Sequence, residues 1–62
     1  MKYAVGSVYY MKRKYGAFSK GECVTIIERK KRGKRTYVSV KNIQGEKLNY
    51  ISVKLLRKHK RS

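Results

Sequence analysis

The sequence contains no aspartate, no tryptophan and only one cysteine among its 62 residues. Cys23 alone cannot form an internal disulfide, and Cys23 with His59 supplies only two of the four ligands that structural zinc normally takes. No apolar run approaches the roughly 18 residues of a membrane span, and the N-terminal residues lack the apolar region and cleavage site of a secretory signal. We therefore expect no metal, no cofactor and no membrane contact, and a reducing cytoplasm as the location of this lone thiol.

Acidic residues are also scarce. The sequence has three glutamates and eighteen lysines and arginines, which gives a net charge of +15. Repulsion on this scale destabilises a compact state and favours binding to a polyanion that relieves it. A chain of this length buries only about 60% of its unfolded surface, so a binding partner is the expected stabiliser. Charge and low hydropathy alone are typical of disordered chains, but the residue pattern predicts a fold.

A two-residue alternation is clearest over residues 35–42, RTYVSVKN. The pattern predicts a half-buried strand with one face that is apolar at its centre and one face that is basic and aromatic. The first face comprises Thr36, Val38, Val40 and Asn42, and the second comprises Arg35, Tyr37, Ser39 and Lys41. The β-branched residues of this segment favour an extended backbone.

Glycine-containing turns separate this strand from its neighbours. Residues 22–29, ECVTIIER, predict a strand that points Val24 and Ile26 toward the core. The KKRGK that follows predicts a hairpin connection in which Gly33 supplies a positive φ. NIQGEK, at 42–47, predicts a tight turn into a further short strand.

The two ends of the chain predict less regular structure. Residues 3–11 contain a strand on which the adjacent Tyr9 and Tyr10 point to opposite faces, one of them toward the core. Residues 12–21 predict a long loop from which Phe18 folds over the core as a lid, because small cores need large apolar side chains. Residues 52–58 fit a last strand or a helix, and we favour the strand.

Five short strands in so short a chain are expected to close a small barrel. The segments KGECVTIIE, YVSVKNIQGEKLNYI and NYISVKLL resemble those of SH3-like barrels, including their KOW- and Tudor-type relatives. The likeness covers residues 5–57, and NYISVKLL is similar to the one-turn link before the last SH3 strand. The resemblance implies an all-β, small five-stranded SH3-like barrel with a long first loop over residues 1–57, and a basic C-terminal tail over 58–62.

The chain is also similar to short basic SH3-like barrel proteins encoded by bacteriophages, some of which bind DNA or host proteins. It departs from the peptide-binding SH3 domains, which hold proline-rich basic peptides with an acidic long loop and a tryptophan. The corresponding loop here is KRKYGAFSKG, and tryptophan is absent. The resemblance therefore does not imply that this chain binds proline-rich peptides, and the fold alone assigns no function.

Three basic patches are candidate contacts for a polyanion. The strand face that carries Tyr37, which Arg29 is expected to adjoin, combines cations with a ring that can stack on a base. The long loop places cations beside Tyr15, and the RKKRGKR turn is expected to reach a phosphate backbone. The candidate nucleic-acid-binding residues are Lys12, Arg13, Lys14, Tyr15, Arg29, Lys30, Lys31, Arg32, Lys34, Arg35, Tyr37 and Lys41. The alternative for the strand face is a solvated surface whose charges discourage aggregation.

These features predict a small protein that binds the phosphate backbone of nucleic acid with little sequence specificity, DNA being favoured over RNA. The alternatives are a module that docks on an acidic protein, such as a host transcription or replication protein, and an RNA-binding protein of the ribosomal type. Catalysis is not expected, because the glutamates are scattered and no base with an orienting partner can be named. The expected location is the cytoplasm, either on the nucleoid or, for a phage protein, inside the host.

Overall fold

The computed structural model of the protein describes residues 3–58. Its regular structure consists of five strands and one turn of 3₁₀ helix. In chain order these are β1 (Val8–Met11), β2 (Cys23–Arg32), β3 (Arg35–Asn42), β4 (Lys47–Ser52), the 3₁₀ turn (Val53–Leu55) and β5 (Leu56–Arg57). Residues 52–58, whose sequence fits either a strand or a helix, therefore contain a one-turn link followed by a short strand. The tail residues 59–62 lie outside the described part of the chain.

All five strands belong to one antiparallel sheet with the order β4-β3-β2-β1-β5. The prediction of an all-β, five-stranded protein is thus confirmed. The sheet is not closed, because within residues 3–58 no strand pairing joins β4 to β5. β5 has two residues, Leu56 and Arg57, and both pair with β1. The expectation of closure is therefore not met, and the sheet keeps two edges.

One face of the sheet carries the core. On β3, Val38 and Val40 are fully buried, and their respective partners Ile51 and Ile26 on the neighbouring strands are buried with them. The whole core comprises Tyr9, Met11, Phe18, Val24, Ile26, Val38, Val40, Ile51 and Leu56. The predicted alternation of apolar residues on β3 and the inward direction of Val24 and Ile26 on β2 are confirmed.

Phe18 reaches this core from the long loop between β1 and β2. The backbones of Tyr15 and Phe18 bond to each other in both directions, with N···O distances of 2.9 Å. The chain turns between them at Gly16, whose φ of 58° favours glycine. Phe18 is 1% exposed whereas Tyr15 is 45% exposed, so the predicted lid over the core is confirmed for Phe18.

The segment before β1 packs on Tyr9. The rings of Tyr3 and Tyr9 stack with their centroids 5.1 Å apart, and the Tyr9 hydroxyl accepts a hydrogen bond of 2.9 Å from the Tyr3 N–H. The Gly6 N–H donates to the Ile26 carbonyl at 2.7 Å, which ties this segment to β2. Tyr9 is therefore the core member of the adjacent tyrosine pair, and Tyr10 is half-buried.

The hairpin of β2 and β3 is longer than the sequence pattern predicts. β2 continues to Arg32 rather than ending near Arg29, and Arg32 pairs with Arg35 across a two-residue turn. Of the two turn residues, Gly33 has a φ of 61° and Lys34 a negative φ, as in a type II′ turn. Lysine is depleted in strands, so this run of cations gave no sequence signal for the outer part of β2. We term residues 29–38 the arm.

A β-bulge interrupts the pairing of β2 with β3. Ile26 pairs with Val40, but the next paired residue of β2 is Glu28, which lies opposite Ser39. Ile27 is therefore an extra residue without a partner on β3. An inserted residue reverses the alternation of faces beyond it, so the outer half of β2 is turned over relative to the inner half.

The reversed alternation changes which cation adjoins Tyr37. Beyond the bulge, Lys30 pairs with Tyr37, and Arg29 pairs with Val38. Directly opposed side chains of an antiparallel pair lie on the same face. The prediction that Arg29 shares the face of Tyr37 is therefore wrong, and Lys30 takes that position.

A second bulge, on β4, covers Ser39. Asn49 and Tyr50 together lie opposite this single residue of β3. The Ser39 hydroxyl accepts a hydrogen bond of 3.2 Å from the Tyr50 N–H and donates one of 3.5 Å to Asn49 Oδ1. Tyr50 has a φ of 53°, which costs a non-glycine residue about 1–2 kcal/mol. Ser39 is fully buried, so its predicted place on an exposed basic face is wrong.

Asn42, at the end of β3, organises the turn into β4. Its Oδ1 accepts hydrogen bonds from the N–H groups of Gln44 and Glu46, at 3.0 and 2.8 Å. Its amide group donates to Glu22 Oε2 at 2.7 Å and to Glu46 Oε1 at 3.0 Å. The predicted turn is therefore a four-residue loop fixed by one side chain, with Ile43 90% exposed on it.

Glu22 links this turn to the long loop, and its ionisation is expected to stabilise the fold. Hydrogen bonds from the Ser19 N–H and then from the Asn42 amide lower the pKa of Glu22 from its ordinary value of 4.5. The stabilisation is present above pH 4.5 and is lost as the pH falls through the lower pKa of the folded state. We expect Glu22→Gln to be less stable than the wild type at neutral pH, with a difference that shrinks in acid.

Urea denaturation of the wild type and Glu22→Gln, followed by circular dichroism from neutral pH to about pH 3, measures this difference. Comparing the two chains cancels the general effect of protonating the other carboxylates. A stability difference that stays constant across this range would contradict the assignment.

Candidate functional site

The end of the arm concentrates positive charge. Arg32 and Arg35 pair directly with each other, and Lys34 lies in the turn between them. Side chains directly opposed on an antiparallel pair have their Cβ atoms only about 4.5–5.5 Å apart, and like charges in this arrangement are destabilising. Residues 28–35 are all exposed. An anion bound beside this pair of arginines would therefore stabilise the hairpin.

Two tyrosines and two cations line a cleft on the arm. The cleft has a volume of about 260 Å³ and is formed by Lys30, Arg32, Tyr37 and Tyr50. Lys30 reaches it because it pairs with Tyr37, and Arg32 lies two residues further along the same face. Tyr50 comes from the bulge on the neighbouring β4. We term these four residues the tyrosine cleft.

Tyr50 is held by its backbone and by its side chain. Its N–H bonds to Ser39, and its hydroxyl donates a hydrogen bond of 3.0 Å to Glu28 Oε2. That bond and the charge of the Glu28 carboxylate raise the pKa of Tyr50, so the hydroxyl remains a donor at neutral pH. Lys30 Nζ lies 5.5 Å from the centroid of the Tyr50 ring, a cation–π arrangement. Tyr50 is still 43% exposed, so it lies outside the core.

Tyr37 also borders a second depression, on the side of the 3₁₀ turn. Tyr37 pairs with Ser52, the residue that precedes this turn, and so Lys54 is brought toward the arm. The depression has a volume of about 610 Å³ and is lined by Lys34, Arg35, Thr36, Tyr37, Ser52, Val53 and Lys54. The half-buried Tyr37 ring therefore has cation-bearing surface on two sides.

Seven of the predicted site residues belong to the arm, but they are divided between its faces. Those that line the two depressions are Lys30, Arg32, Lys34, Arg35 and Tyr37. Arg29 and Lys31 pair with Val38 and Thr36 and therefore lie on the opposite face. The second pair of cations is exposed but does not adjoin Tyr37.

The other predicted residues lie elsewhere on the sheet. Lys41 is near the far end of β3, where it pairs with Lys47, about 20 Å from Arg35 at the usual rise per strand residue. Lys12, Arg13, Lys14 and Tyr15 are exposed in the long loop. The Lys12 N–H donates to the Leu55 carbonyl at 2.8 Å, so the loop begins beside β5. Lys12 lines a separate cleft with Arg57.

Sequence reasoning missed two residues of this surface, Tyr50 and Lys54. Tyr50 enters the tyrosine cleft because of a bulge with a positive φ, and a tyrosine gives no sequence signal for such a conformation. Lys54 had a signal. The similarity of NYISVKLL to a one-turn link implies that the residues after β4 turn back over the neighbouring strands.

Residues 3–58 contain no group of three or more His, Cys, Asp or Glu side chains placed to hold a metal ion, and His59 lies outside that range. No helix between residues 3 and 58 has the length and apolar character needed to cross a membrane.

Comparisons of the chain with models of protein families, with curated proteins and with solved structures give no match. The function is therefore inferred from the arm and the tyrosine cleft.

Proposed function

We propose that this chain is a small SH3-like barrel protein, of the kind that bacteriophages encode, which binds nucleic acid through the phosphate backbone. The long first loop, the two hairpin turns and the one-turn link before the last strand support the fold assignment. DNA is the favoured ligand over RNA. The proposed location is the cytoplasm, on the nucleoid or in the host cell, which suits the half-buried free thiol of Cys23.

The pairing of Arg32 with Arg35 carries this proposal. The arm places these like charges opposite each other, with Lys30 and Lys34 nearby, although the repulsion destabilises the free hairpin. A phosphate relieves the repulsion, and each phosphate that is neutralised releases condensed counterions. Glu28, the acidic residue on the same face, accepts a hydrogen bond from the Tyr50 hydroxyl. The arm is therefore better suited to binding an external anion than to forming internal ion pairs.

The same surface favours weak dependence on base sequence. Long cationic side chains on an exposed hairpin contact phosphates, which carry no sequence information directly. Within residues 3–58 the helical structure is a single 3₁₀ turn, so no α-helix of that range is a candidate reader of the major groove.

The test is a fluorescence-anisotropy titration of labelled duplex DNA, single-stranded DNA and RNA over a series of salt concentrations. The logarithm of the association constant should fall linearly with the logarithm of salt concentration. If Lys30, Arg32, Lys34 and Arg35 each contact one phosphate of duplex DNA, these four contacts contribute a slope of about −3.6. Weak binding to all three ligands near physiological salt would overturn the proposal. The arm would then be examined as a dock for an acidic protein, where one patch should dominate the affinity.

A further inference from the structure

The tyrosine cleft contains groups that phosphate binding does not require. Phosphates are bound by cations and hydrogen-bond donors, which the end of the arm supplies. The cleft instead sets the rings of Tyr37 and Tyr50 beside Lys30 and Arg32. Aromatic side chains contribute to nucleic-acid binding by stacking on bases, and the faces of bases are accessible where the strand is unpaired.

The conformation of Tyr50 also indicates a binding role. A bulky residue with a φ of 53° is an outlier, and such outliers persist where the surroundings enforce them, often at functional sites. Hydrogen bonds to Ser39 and Glu28 enforce this one. The ring is therefore restrained before a ligand binds, and less side-chain freedom is lost when a ligand stacks on it.

The size of the cleft and the place of Lys30 suit one nucleotide. The volume of about 260 Å³ is below the range of about 300–1,000 Å³ of pockets for drug-sized ligands, so a single flat ring system fits better than a larger molecule. Lys30 Nζ lies over the Tyr50 ring at 5.5 Å. A base that stacks there displaces the ammonium group, and the flexible lysine can turn to the phosphate of the same nucleotide.

We propose that the tyrosine cleft binds an unpaired nucleobase, and that the preferred ligand of the protein is a single-stranded segment of nucleic acid. This inference rests on the proposed function, because the cations of the arm supply the phosphate contacts that bring the strand to the cleft. Tyr37 and Tyr50 contact the base, and Lys30 and Arg32 contact the adjacent backbone.

The first experiment uses the full wild-type chain. A single-stranded DNA oligonucleotide of mixed sequence is compared with an abasic oligonucleotide that has the same number of phosphates, and with the duplex of the same sequence. Stacking on one base is expected to make the base-containing strand bind roughly 5- to 150-fold more tightly than the abasic strand. The single strand should also bind more tightly than the duplex.

Variants at position 50 assign the effect to the cleft. Tyr50→Asn removes the ring and introduces a residue that tolerates a positive φ, so we expect the preference for the base-containing strand to fall toward unity. Tyr50→Phe keeps the ring and should keep the preference. Ile43→Asn removes another exposed apolar side chain, on the β3–β4 turn, and is the matched control that should also keep it.

The possible failures are distinguishable. Equal, salt-dependent binding of the normal and abasic strands would overturn the inference and leave backbone binding intact. Tighter binding of the duplex than of the single strand would also overturn it. Weak binding to every ligand would overturn the proposed function itself. Circular dichroism establishes whether Tyr50→Asn folds, and if it does not, the wild-type comparison with the abasic strand decides the question.

Discussion

Replacing Phe18 with alanine is expected to lower the free energy of unfolding by about 3–5 kcal/mol. Phe18 is the largest fully buried side chain of the core, and it reaches the core from a loop rather than from a strand. A folded chain of 62 residues has a net stability of roughly 3–9 kcal/mol. The substitution therefore removes much or all of the stability of the fold, and urea denaturation followed by circular dichroism measures the loss.

Two further variants make the Phe18 result interpretable. Ile43→Ala removes an apolar side chain that is 90% exposed, and its effect should lie within about 0.5 kcal/mol of zero. Phe18→Leu fills part of the space and gives a measurable midpoint even where Phe18→Ala is unfolded. If Phe18→Ala and the wild type have the same midpoint of urea denaturation, the Phe18 lid does not contribute to the stability of the core.

Neutralising the end of the arm is expected to change binding and stability in opposite directions. The double variant Arg32→Gln/Arg35→Gln loses two phosphate contacts. The slope of the logarithm of its association constant for duplex DNA against the logarithm of salt concentration should therefore be less steep by about 1.8. By the same counterion-release relation, the affinity near 0.15 M salt falls roughly 30-fold. Removing directly opposed like charges should at the same time stabilise the free protein by about 0.2–1 kcal/mol. Anisotropy titrations and urea denaturation measure the two effects.

A control pair separates local contact from net charge. Lys20→Gln with Lys47→Gln lowers the net charge by the same amount at exposed positions of the long loop and of the start of β4. We expect this variant to keep a salt slope close to that of the wild type. If both double variants lose affinity equally, the binding reflects overall charge and the arm is not the contact surface.

The regular part of the fold could be predicted because the residue pattern that determines it lies within a single strand. The apolar residues of β3 alternate without interruption, and its predicted bounds agree with the observed Arg35–Asn42. The outer end of β2 could not be predicted in the same way. Its register is set by pairing with β3 across a two-residue turn, whereas its own residues are cations with no apolar alternation.

The candidate site was less predictable, because two bulges determine it. A period of two assumes an unbroken strand, and the extra residue Ile27 exchanges the faces of Arg29 and Lys30. The second bulge buries Ser39 and exposes Tyr50. Both bulges depend on contacts between strands, so no short window of sequence contains them. Composition could indicate that cations and tyrosines were available, but only the pairing shows which of them meet.

The pairing of β1 with β5 has a consequence for the order in which the chain folds. β2, β3 and β4 are consecutive and are joined by short turns, so their contacts require only small loops to close. The Tyr10–Arg57 and Met11–Leu56 pairs instead join residues near opposite ends of the described chain. Closing that long loop costs more chain entropy, and the closure forms only two residue pairs. We therefore expect the three-stranded meander to form first, and the β1–β5 seam to close last and to open first.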